Sequence, residues 1–369
     1  MVKANVLAPS AELRDELCRR GGVSAQRCFQ CATCSAVCSL APDGQPFPRL
    51  QMLKALLGLI DSLAADPAVW LCHNCNDCTV RCPRDARPGD VLQAVRSIVI
   101  ERLAMPRWFG SVVAHARATW PLLIGVPLAF WVVLLGVTGH LTMPDRVTHY
   151  GQIVPHVLIY SVFIPVSLWV VFAAWMSGRR FWHLLGSAGP PRRGSWIAST
   201  LSSLGEIANH RRFAQCDAAH PRRWAHLLLM WGFIGAAVTS GLLVIALYGF
   251  QMQMPLPLDH PFKILGNLSA ICLLAGGTML SLQRIKGGDA VGQTTAFDSF
   301  FLSIIVWVIV SGTLVELGRF FFPGEIAGWL YIVHLAGVLT LFMTFPYSKF
   351  AHMMYRTLAM IHQKMTEEG

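Results

Sequence analysis

Long apolar runs fill most of the chain after residue 119. Six of them hold 19 or more residues each: Trp120–Gly139, Ile153–Met176, Leu227–Phe250, Ile264–Leu282, Phe300–Phe322 and Leu330–Phe350. A helix rises about 1.5 Å per residue, and the hydrocarbon core of a bilayer is about 30 Å thick. Each run is therefore long enough to cross a membrane. The pattern predicts six transmembrane helices.

The residues before these runs are more polar and carry shorter patterns. Over residues 48–63, apolar side chains recur at helical spacing, which predicts a helix that packs over the surrounding loops. The predicted fold class is mainly α. We expect a small helical domain over residues 1–105, a six-helix membrane bundle over 106–356, and a C-terminal tail over 357–369.

Composition agrees with a membrane protein that carries some water-exposed mass. Of 369 residues, 54% are hydrophobic and only 14% are charged, against about 25% charged in ordinary soluble domains. A disordered chain and a purely soluble enzyme are excluded. The net charge of +10 comes from basic residues in the loops between apolar runs, which indicates membrane topology and not a nucleic-acid partner. The first 20 residues lack the apolar stretch of a signal peptide.

Eight of the eleven cysteines form two copies of one motif, C-x2-C-x2-C-x3-C. Each cysteine of the second copy follows its counterpart by 44 residues, so the segment is an internal duplication. The first copy contains Cys28, Cys31, Cys34 and Cys38, and the second contains Cys72, Cys75, Cys78 and Cys82.

This spacing is typical of [4Fe–4S] ligands, in which the fourth cysteine of each run binds the other cluster. We therefore predict two clusters with crossed ligation. Structural zinc would use separated C-x2-C pairs, and disulfides would need an oxidising compartment. The remaining cysteines, Cys18, Cys216 and Cys272, are interpreted as ordinary thiols. The first cluster takes Cys28, Cys31, Cys34 and Cys82, and the second takes Cys72, Cys75, Cys78 and Cys38.

The distribution of basic residues predicts the orientation. The loops after the second and fourth runs hold ten arginines and lysines, whereas the opposite loops hold only Arg146 and Lys263. The positive-inside rule then places the cysteine domain and both termini in the cytoplasm of a multi-pass inner-membrane protein. The 50-residue stretch Ser177–His226 is either a membrane-hugging loop with an interfacial helix or a docking surface for a partner.

Histidines within apolar runs are candidate ligands, because ionisable groups in a membrane are costly. His334 and His352 are 18 residues apart, which is five turns of a continuous helix and about 27 Å. Two b-type haems stacked across the bilayer would fit this spacing. We predict an inner haem between His226 and His352 and an outer haem between His334 and His156. His140 and His149 are alternatives to His156.

Two cysteine-containing stretches, CFQCATCSAVCSLAPDGQPFPRL (28–50) and DPAVWLCHNCNDCTVRCPRDARPGDVL (66–92), closely resemble the C subunit of the quinone-interacting membrane-bound oxidoreductase complex. The run HLAGVLTLFMTFPYSKFAHMMYR (334–356) is similar to the last helix of the nitrate reductase gamma subunit, whose two histidines bind haems. The chain departs from that relative at Ala236, where the relative has a second haem ligand.

The resemblance implies a quinone-reactive electron-transfer subunit of a multi-subunit oxidoreductase, with two b haems and two [4Fe–4S] clusters. The expected partners are flavin- and iron–sulfur-containing subunits A and B of the complex and adenylylsulfate reductase. A related heterodisulfide-reductase-like or sulfite-reduction complex is the alternative. A membrane anchor for an iron–sulfur domain, without quinone chemistry, is a third interpretation.

The predicted quinone site lies at the outer end of the bundle. Lys263 begins the fourth run, and Glu316 and Arg319 share a helix face on the fifth at the same level. Lysine could hydrogen-bond a quinone carbonyl, and Glu316 could carry protons. The alternative is an interfacial lysine beside a structural Glu–Arg pair.

Overall fold

The computed structural model describes residues 8–41, 46–216 and 220–367. Every regular element in these ranges is helical, which confirms the mainly-α prediction. The α-helices, in chain order, are α1 Ala11–Leu17, α2 Thr33–Ala36, α3 Arg49–Leu56, α4 Ile60–Ala64, α5 Ala68–Leu71, α6 Asp77–Val80, α7 Pro88–Leu103, α8 Arg107–Ala114, α9 Ala116–Val137, α10 His156–Ala188, α11 Trp196–Asn209, α12 His220–Val244, α13 Pro261–Lys286, α14 Ala296–Phe321, α15 Gly324–Thr344 and α16 His352–Glu367.

The first seven helices form a small cysteine-containing domain, here called the module, around α7. Leu17, Met52 and Val91 lie fully buried in its core. The helix predicted over residues 48–63 is divided into α3 and α4. Gly58 separates them with φ of 69°, and a Cβ there would lie 1.9 Å from the Ser10 carbonyl oxygen. The turn therefore needs glycine.

Six helices are long and apolar enough to cross a membrane, which confirms the predicted number. They are α9, α10 and α12 to α15, and their centres coincide with the six apolar runs. Helices α12 and α13 approach closely at Gly276, where a Cβ would lie 2.7 Å from the Ala225 carbonyl oxygen. A glycine at this position is what allows the two backbones to pack so tightly.

The last run does not form one helix through His352, so that prediction is wrong. Helix α15 ends at Thr344, two 3-10 turns span Phe345–Tyr347 and Lys349–Ala351, and α16 begins at His352. Pro346 has no N–H to continue the helical hydrogen bonds, and the Ser348 hydroxyl accepts a hydrogen bond from Phe350 N at 3.4 Å. His334 and His352 therefore lie on different helices, and their whole-turn spacing does not align them.

Helices α11 and α16 pack together beside the bundle. The predicted helix after Ser195 is present as α11, with the Ser195 hydroxyl at its N-cap. Glu206 of α11 binds Lys364 of α16 at 2.6 Å and Arg212 at 2.7 Å. Residues 357–367, expected as a tail, continue α16, and residues 368–369 lie outside the described ranges.

The module packs directly on one end of the bundle, here called the module end. Trp70 of the module contacts Phe181 of α10 and Tyr355 of α16, with ring centroids 5.8 and 4.7 Å away. The Tyr347 hydroxyl donates to the Met105 carbonyl at 2.7 Å. The opposite end of the bundle, here called the far end, carries residues 138–155 and 250–260. Carriers in the module would therefore face the module end.

Candidate functional site

The eight motif cysteines surround two separate cavities in the module. Each cavity takes three cysteines from one copy of the motif and the last cysteine from the other, which is the crossed grouping that the spacing predicts. The first is lined by Cys28, Cys31, Cys34 and Cys82, and the second by Cys38, Cys72, Cys75 and Cys78. The donor sets fit two [4Fe–4S] clusters.

The duplication is repeated in the backbone of the two motifs. Gln30 and Ala32 have φ of 58° and 69°, and their counterparts 44 residues later, Asn74 and Asn76, have φ of 55° and 70°. One helical turn follows each pair, as α2 and α6. Left-handed conformations are costly for residues other than glycine, and such strain concentrates at functional sites. Here they curl each loop around its cavity.

The thiols differ in their surroundings. Burial raises the pKa of Cys34, and it raises the pKa of Cys38 to about 11. Cys31 is exposed, and its contact with the Thr33 hydroxyl lowers its pKa. Backbone amides point at other sulfurs, with Asn74 N 3.3 Å from Cys72 Sγ and Ala86 N 3.3 Å from Cys82 Sγ. Metal binding would replace the protons on the buried thiols, and the amides would stabilise the resulting negative charge.

The first cavity opens to solvent. Cys31 is exposed, and the neighbouring Phe29 side chain is 68% exposed. Arg84 lies over the Phe29 ring at 4.0 Å, and Arg49 lines the same cavity. The edge of this cavity is thus apolar and basic.

The second cavity faces the bundle, and three arginines bind the backbone of its loop. Arg96 donates to the carbonyls of Val69 at 2.8 Å and Cys72 at 2.6 Å. Arg356 of α16 donates to Cys72 O at 3.5 Å and to the ring of His73. Arg222 of α12 donates to the carbonyl of Asn74.

These three guanidinium groups add positive charge beside the second cavity. Burial, and then the neighbouring Arg96, lower the pKa of Arg356 to about 10, so it stays charged at neutral pH. Among the described residues, none of the three has a carboxylate within ion-pair distance. An anionic cluster in the cavity would supply the missing negative charge.

The structure brings His226 and His352 together at the module end, with ring centroids 6.1 Å apart. Metal–imidazole bonds of about 2.0–2.1 Å would place two rings on opposite sides of one ion with centroids about 6 Å apart. The Nδ1 atoms of both rings already have other partners. That of His352 contacts the Lys349 carbonyl, and that of His226 lies 2.7 Å from Nε2 of His210. The Nε2 atoms are thus left for a ligand, and the pair fits a haem iron.

His210 fixes the tautomer of His226. Nδ1 of His210 lies 2.7 Å from the Ile207 carbonyl, which can only accept a hydrogen bond, so this nitrogen carries the proton. Burial lowers the pKa of His210, which keeps its ring neutral and leaves Nε2 as an acceptor. His226 must then donate from Nδ1. This is the usual orienting contact of a metal-bound histidine.

The predicted outer pair, His334 and His156, does not make contact among the described residues. Nδ1 of His334 lies 2.9 Å from the Ser311 hydroxyl, and its ring faces Gly312. The His156 ring lies beside Gly151 and 6.4 Å from the Tyr160 ring. His334 keeps Nε2 open for a ligand, but no second histidine of the described ranges faces it directly.

The predicted quinone residues meet at the far end. Lys263 Nζ binds Glu316 Oε2 at 2.7 Å, and Arg319 Nη2 lies 3.9 Å from Glu316 Oε1. The Tyr150 hydroxyl donates to the Val315 carbonyl beside them, and the Tyr150 ring stacks 4.5 Å from Tyr331. The lysine is therefore already paired with a carboxylate. A quinone carbonyl would have to share it with Glu316.

Sequence reasoning misses two residues in the long stretch after α10. It places His210 in solvent or at an interface, yet this histidine contacts His226. It interprets Cys216 as an ordinary thiol, yet the side chain is 1% exposed and lines the second cysteine cavity. The available signal is their company: a histidine, a cysteine and four arginines lie between residues 210 and 223 of an otherwise apolar half.

Comparison with known proteins divides the chain at the same place as the structure. The model of the family described as "4Fe-4S dicluster domain" matches residues 24–86, and that described as "Citrate utilization protein B" matches residues 113–369. The module is similar to the C-subunit-like protein of heterodisulfide reductase from Archaeoglobus profundus, with 40% identity over 96 residues. This alignment covers 26% of the chain and 50% of the relative.

A second archaeal relative of the module is the C subunit of the H2:CoB-CoM heterodisulfide, ferredoxin reductase of Methanothermobacter thermautotrophicus. It is 38% identical over 89 residues, which are 23% of the chain and 46% of the relative. The chain thus spans about half the length of these two relatives. The module is an iron–sulfur electron-transfer module of the heterodisulfide-reductase kind, attached to a membrane helical region.

Similarity to one relative runs through both halves. Citrate utilization protein B of Escherichia coli is 26% identical over 352 residues, which cover 91% of the chain and 89% of the relative. No solved structure matches the chain. Because the family model covers more than half of the residues, and because this relative joins the iron–sulfur module to the bundle, the chain belongs to the citrate utilization protein B family.

Proposed function

We propose that the protein is the membrane subunit of an oxidoreductase complex and relays electrons between a soluble partner and the quinone pool. The single observation that carries the proposal is the placement of two four-cysteine cavities in series with the His226–His352 pair. When bound, two [4Fe–4S] clusters and b-type haem would supply one-electron carriers. The functional division is residues 1–105 for the clusters and 106–356 for the haems and quinone.

The two cavities differ in a way that orders them. The first is open at Cys31 and Phe29, so a partner protein could approach it closely. The second is covered by arginines from α12 and α16. A partner would exchange electrons with the first cluster, and the second would connect to the bundle.

Aromatic rings continue from the second cavity to the histidine pair. His73 stacks on Phe213 at 5.2 Å, and Phe213 lies 6.2 Å from His210. His210 lies 4.9 Å from His226, which faces His352. These contacts keep the second cavity and the proposed inner haem close together without intervening solvent. Positive charge from the arginines beside the second cavity would favour the reduced, more negative form of its cluster and draw electrons inward.

We place the quinone at the far end, where Lys263, Glu316 and Arg319 meet within reach of the His334 region. An ion pair that already joins Lys263 to Glu316 can pass a proton along its axis while the lysine hydrogen-bonds a carbonyl. His334 would bind the outer haem, with a ligand from His156, His140 or His149. The module end, next to the inner haem, is the alternative quinone position.

The proposed orientation has the module and both termini in the cytoplasm of an inner-membrane protein. The support is the excess of arginines in the loops at the module end. Accessibility of single cysteines to a membrane-impermeant thiol reagent tests it, with Thr148→Cys at the far end and Ser187→Cys at the module end. Labelling of Ser187→Cys from the periplasm would reverse the orientation.

The soluble partner follows from the two resemblances. The resemblance of the cysteine motifs suggests flavin- and iron–sulfur-containing subunits A and B that lead to adenylylsulfate reductase. The similarity over 91% of the chain favours a second candidate, a partner oxidoreductase that works in citrate utilization. The two are distinguished by mixing the reduced protein with each candidate partner and following haem reoxidation.

Purification of the full chain under anaerobic conditions tests the proposal. We expect about ten irons per chain, about eight of them with acid-labile sulfide, and b-type bands in the dithionite-minus-oxidised spectrum. A quinol analogue should reduce the haem within one mixing experiment. Iron–sulfur clusters without haem bands would leave only an anchor, and a haem that no quinol reduces would remove the quinone function.

A further inference from the structure

The second cysteine cavity has a fifth thiol that comes from the membrane half. Cys216 lines this cavity together with the motif cysteines, and its side chain is 1% exposed. Its sulfur, the sulfur of Cys75 and a carboxylate oxygen of Asp77 lie within 4.8 Å of one another. Among the described residues, the first cavity has only its four motif cysteines.

Several contacts hold the segment 212–216 against the module. The Ser39 hydroxyl donates to the Gln215 carbonyl at 3.1 Å, and Phe213 stacks on His73. Phe213 and Cys216 form a small buried cluster that Leu40 and Cys75 pack against. The position of Cys216 is therefore set by neighbours on both sides and not by its own motif.

From this placement we propose that Cys216 belongs to the site of the second cluster, where its thiol donates a hydrogen bond to the cluster-bound sulfur of Cys75. The inference rests on the proposed function, because it requires a cluster in the second cavity. Cys75, Cys72, Cys78 and Cys38 already complete four ligands, so Cys216 acts through Cys75 as a positioning residue.

The chemical consequence follows from the charge on the cluster. A hydrogen bond to a ligand sulfur stabilises the reduced cluster more than the oxidised one, because the reduced cluster carries more negative charge. The S–H group is a weak donor, and its burial beside the sulfur keeps water from replacing it. Cys216 would therefore hold the potential of the second cluster above that of the same cluster without it.

The test is a redox titration followed by EPR on the full protein in detergent. The variants are Cys216→Ala, which removes the donor, and Cys216→Ser, which keeps one. Cys18→Ala and Cys272→Ala are matched controls, since neither cysteine lines a cavity of the described residues. The signal of the second cluster is identified by its loss in Cys78→Ser.

We expect Cys216→Ala to lower the reduced-to-oxidised ratio of the second cluster about threefold or more at a fixed poise. The first cluster should not change, and Cys216→Ser and both controls should titrate as the wild type does. If Cys216→Ala loses the cluster, Cys216→Ser decides: titration at the wild-type potential supports the donor role, and a lowered potential overturns it.

Two other results would overturn the inference. One is an unchanged potential in Cys216→Ala with both clusters bound. The other is one zinc ion per chain that disappears in Cys216→Ala, since a mononuclear site at Cys75, Asp77 and Cys216 would take Cys75 from the cluster. Failure of the proposed function is distinct from both, because the wild-type protein would then lack the second cluster altogether.

Discussion

Asp298 is the residue whose loss should most disturb the joint between the module and the bundle. It is 4% exposed at the start of α14, and its Oδ1 binds Lys349 Nζ at 2.6 Å. Its Oδ2 accepts hydrogen bonds from the Thr295 hydroxyl at 2.7 Å and from Gln93 of α7. Lys349 lies in the turn between α15 and α16, and its carbonyl contacts His352. One carboxylate thus connects three parts of the site.

The size of the effect follows from this geometry. Two unit charges 2.6 Å apart attract by about 6 kcal/mol at an effective dielectric constant of about 20, and desolvation offsets much of that attraction. Removing one partner of a buried pair costs about 3–5 kcal/mol. The Lys349 side chain is 31% exposed, so water compensates part of the loss. We expect Asp298→Asn to cost about 3 kcal/mol, at the lower end of that range.

The assay is thermal unfolding in detergent, followed by tryptophan fluorescence at one scan rate. A loss of about 3 kcal/mol corresponds to a fall in Tm of about 6–12 °C for a domain of this size. The double variant Asp298→Asn/Lys349→Met should recover most of it, because no unpaired charge remains. As a control, Asp85→Asn removes the exposed partner of Arg27 and should cost less than about 1 kcal/mol. A Tm fall for Asp298→Asn no larger than that for Asp85→Asn would refute the reasoning.

Four further predictions concern the carriers. Cys38→Ser should destroy the EPR signal of the second cluster and spare the first, and the reverse outcome would exclude crossed ligation. His226→Ala should remove roughly half of the haem measured as the pyridine complex, whereas full retention would exclude the inner pair. His210→Ala should keep the haem but lower its midpoint potential, since His226 loses a fixed tautomer; an unshifted titration would mean that His210 orients nothing. Lys263→Ala in haem-replete protein should slow quinol-driven haem reduction by about tenfold or more, and a wild-type rate would move the quinone to the module end.

The parts of the fold that sequence predicts depend on local rules. Each apolar run fixes its own helix, because hydrophobic length and backbone satisfaction in a membrane leave few alternatives. The spacing Cys28, Cys31, Cys34 fixes a loop that curls around one cavity, and the duplication repeats that loop 44 residues later. Neither inference requires knowledge of distant contacts. Both agree with the structure for that reason.

The last helix shows how a local rule fails when one residue breaks its premise. The whole-turn spacing of His334 and His352 assumes an uninterrupted helix, but Pro346 and Ser348 end it. The sequence contains this signal in the segment TFPYSKF, since proline disfavours helix in the residue before it. His352 reaches His226 all the same, because the turns at 345–351 redirect α16 along the module end.

Cys216 and His210 could not be placed from sequence, because their roles depend on where a 50-residue connection packs. Position in such a segment is decided by tertiary contacts, here by Phe213 on His73 and by Ser39 on Gln215. Periodicity and motif spacing carry no information about these contacts. Residues of this kind are found only when both halves of the chain are seen together.

The duplication and the bundle together explain how two similar loops can do different work. Equivalent backbones at Gln30 and Asn74 build two cavities of nearly the same local design. Only the second meets the membrane half, which contributes Arg222, Arg356 and Cys216 to its surroundings. Each of these groups adds positive charge or a donor beside the cluster, and each favours the reduced state. A repeated module thus acquires a gradient between its two carriers through contacts that its own repeat does not encode.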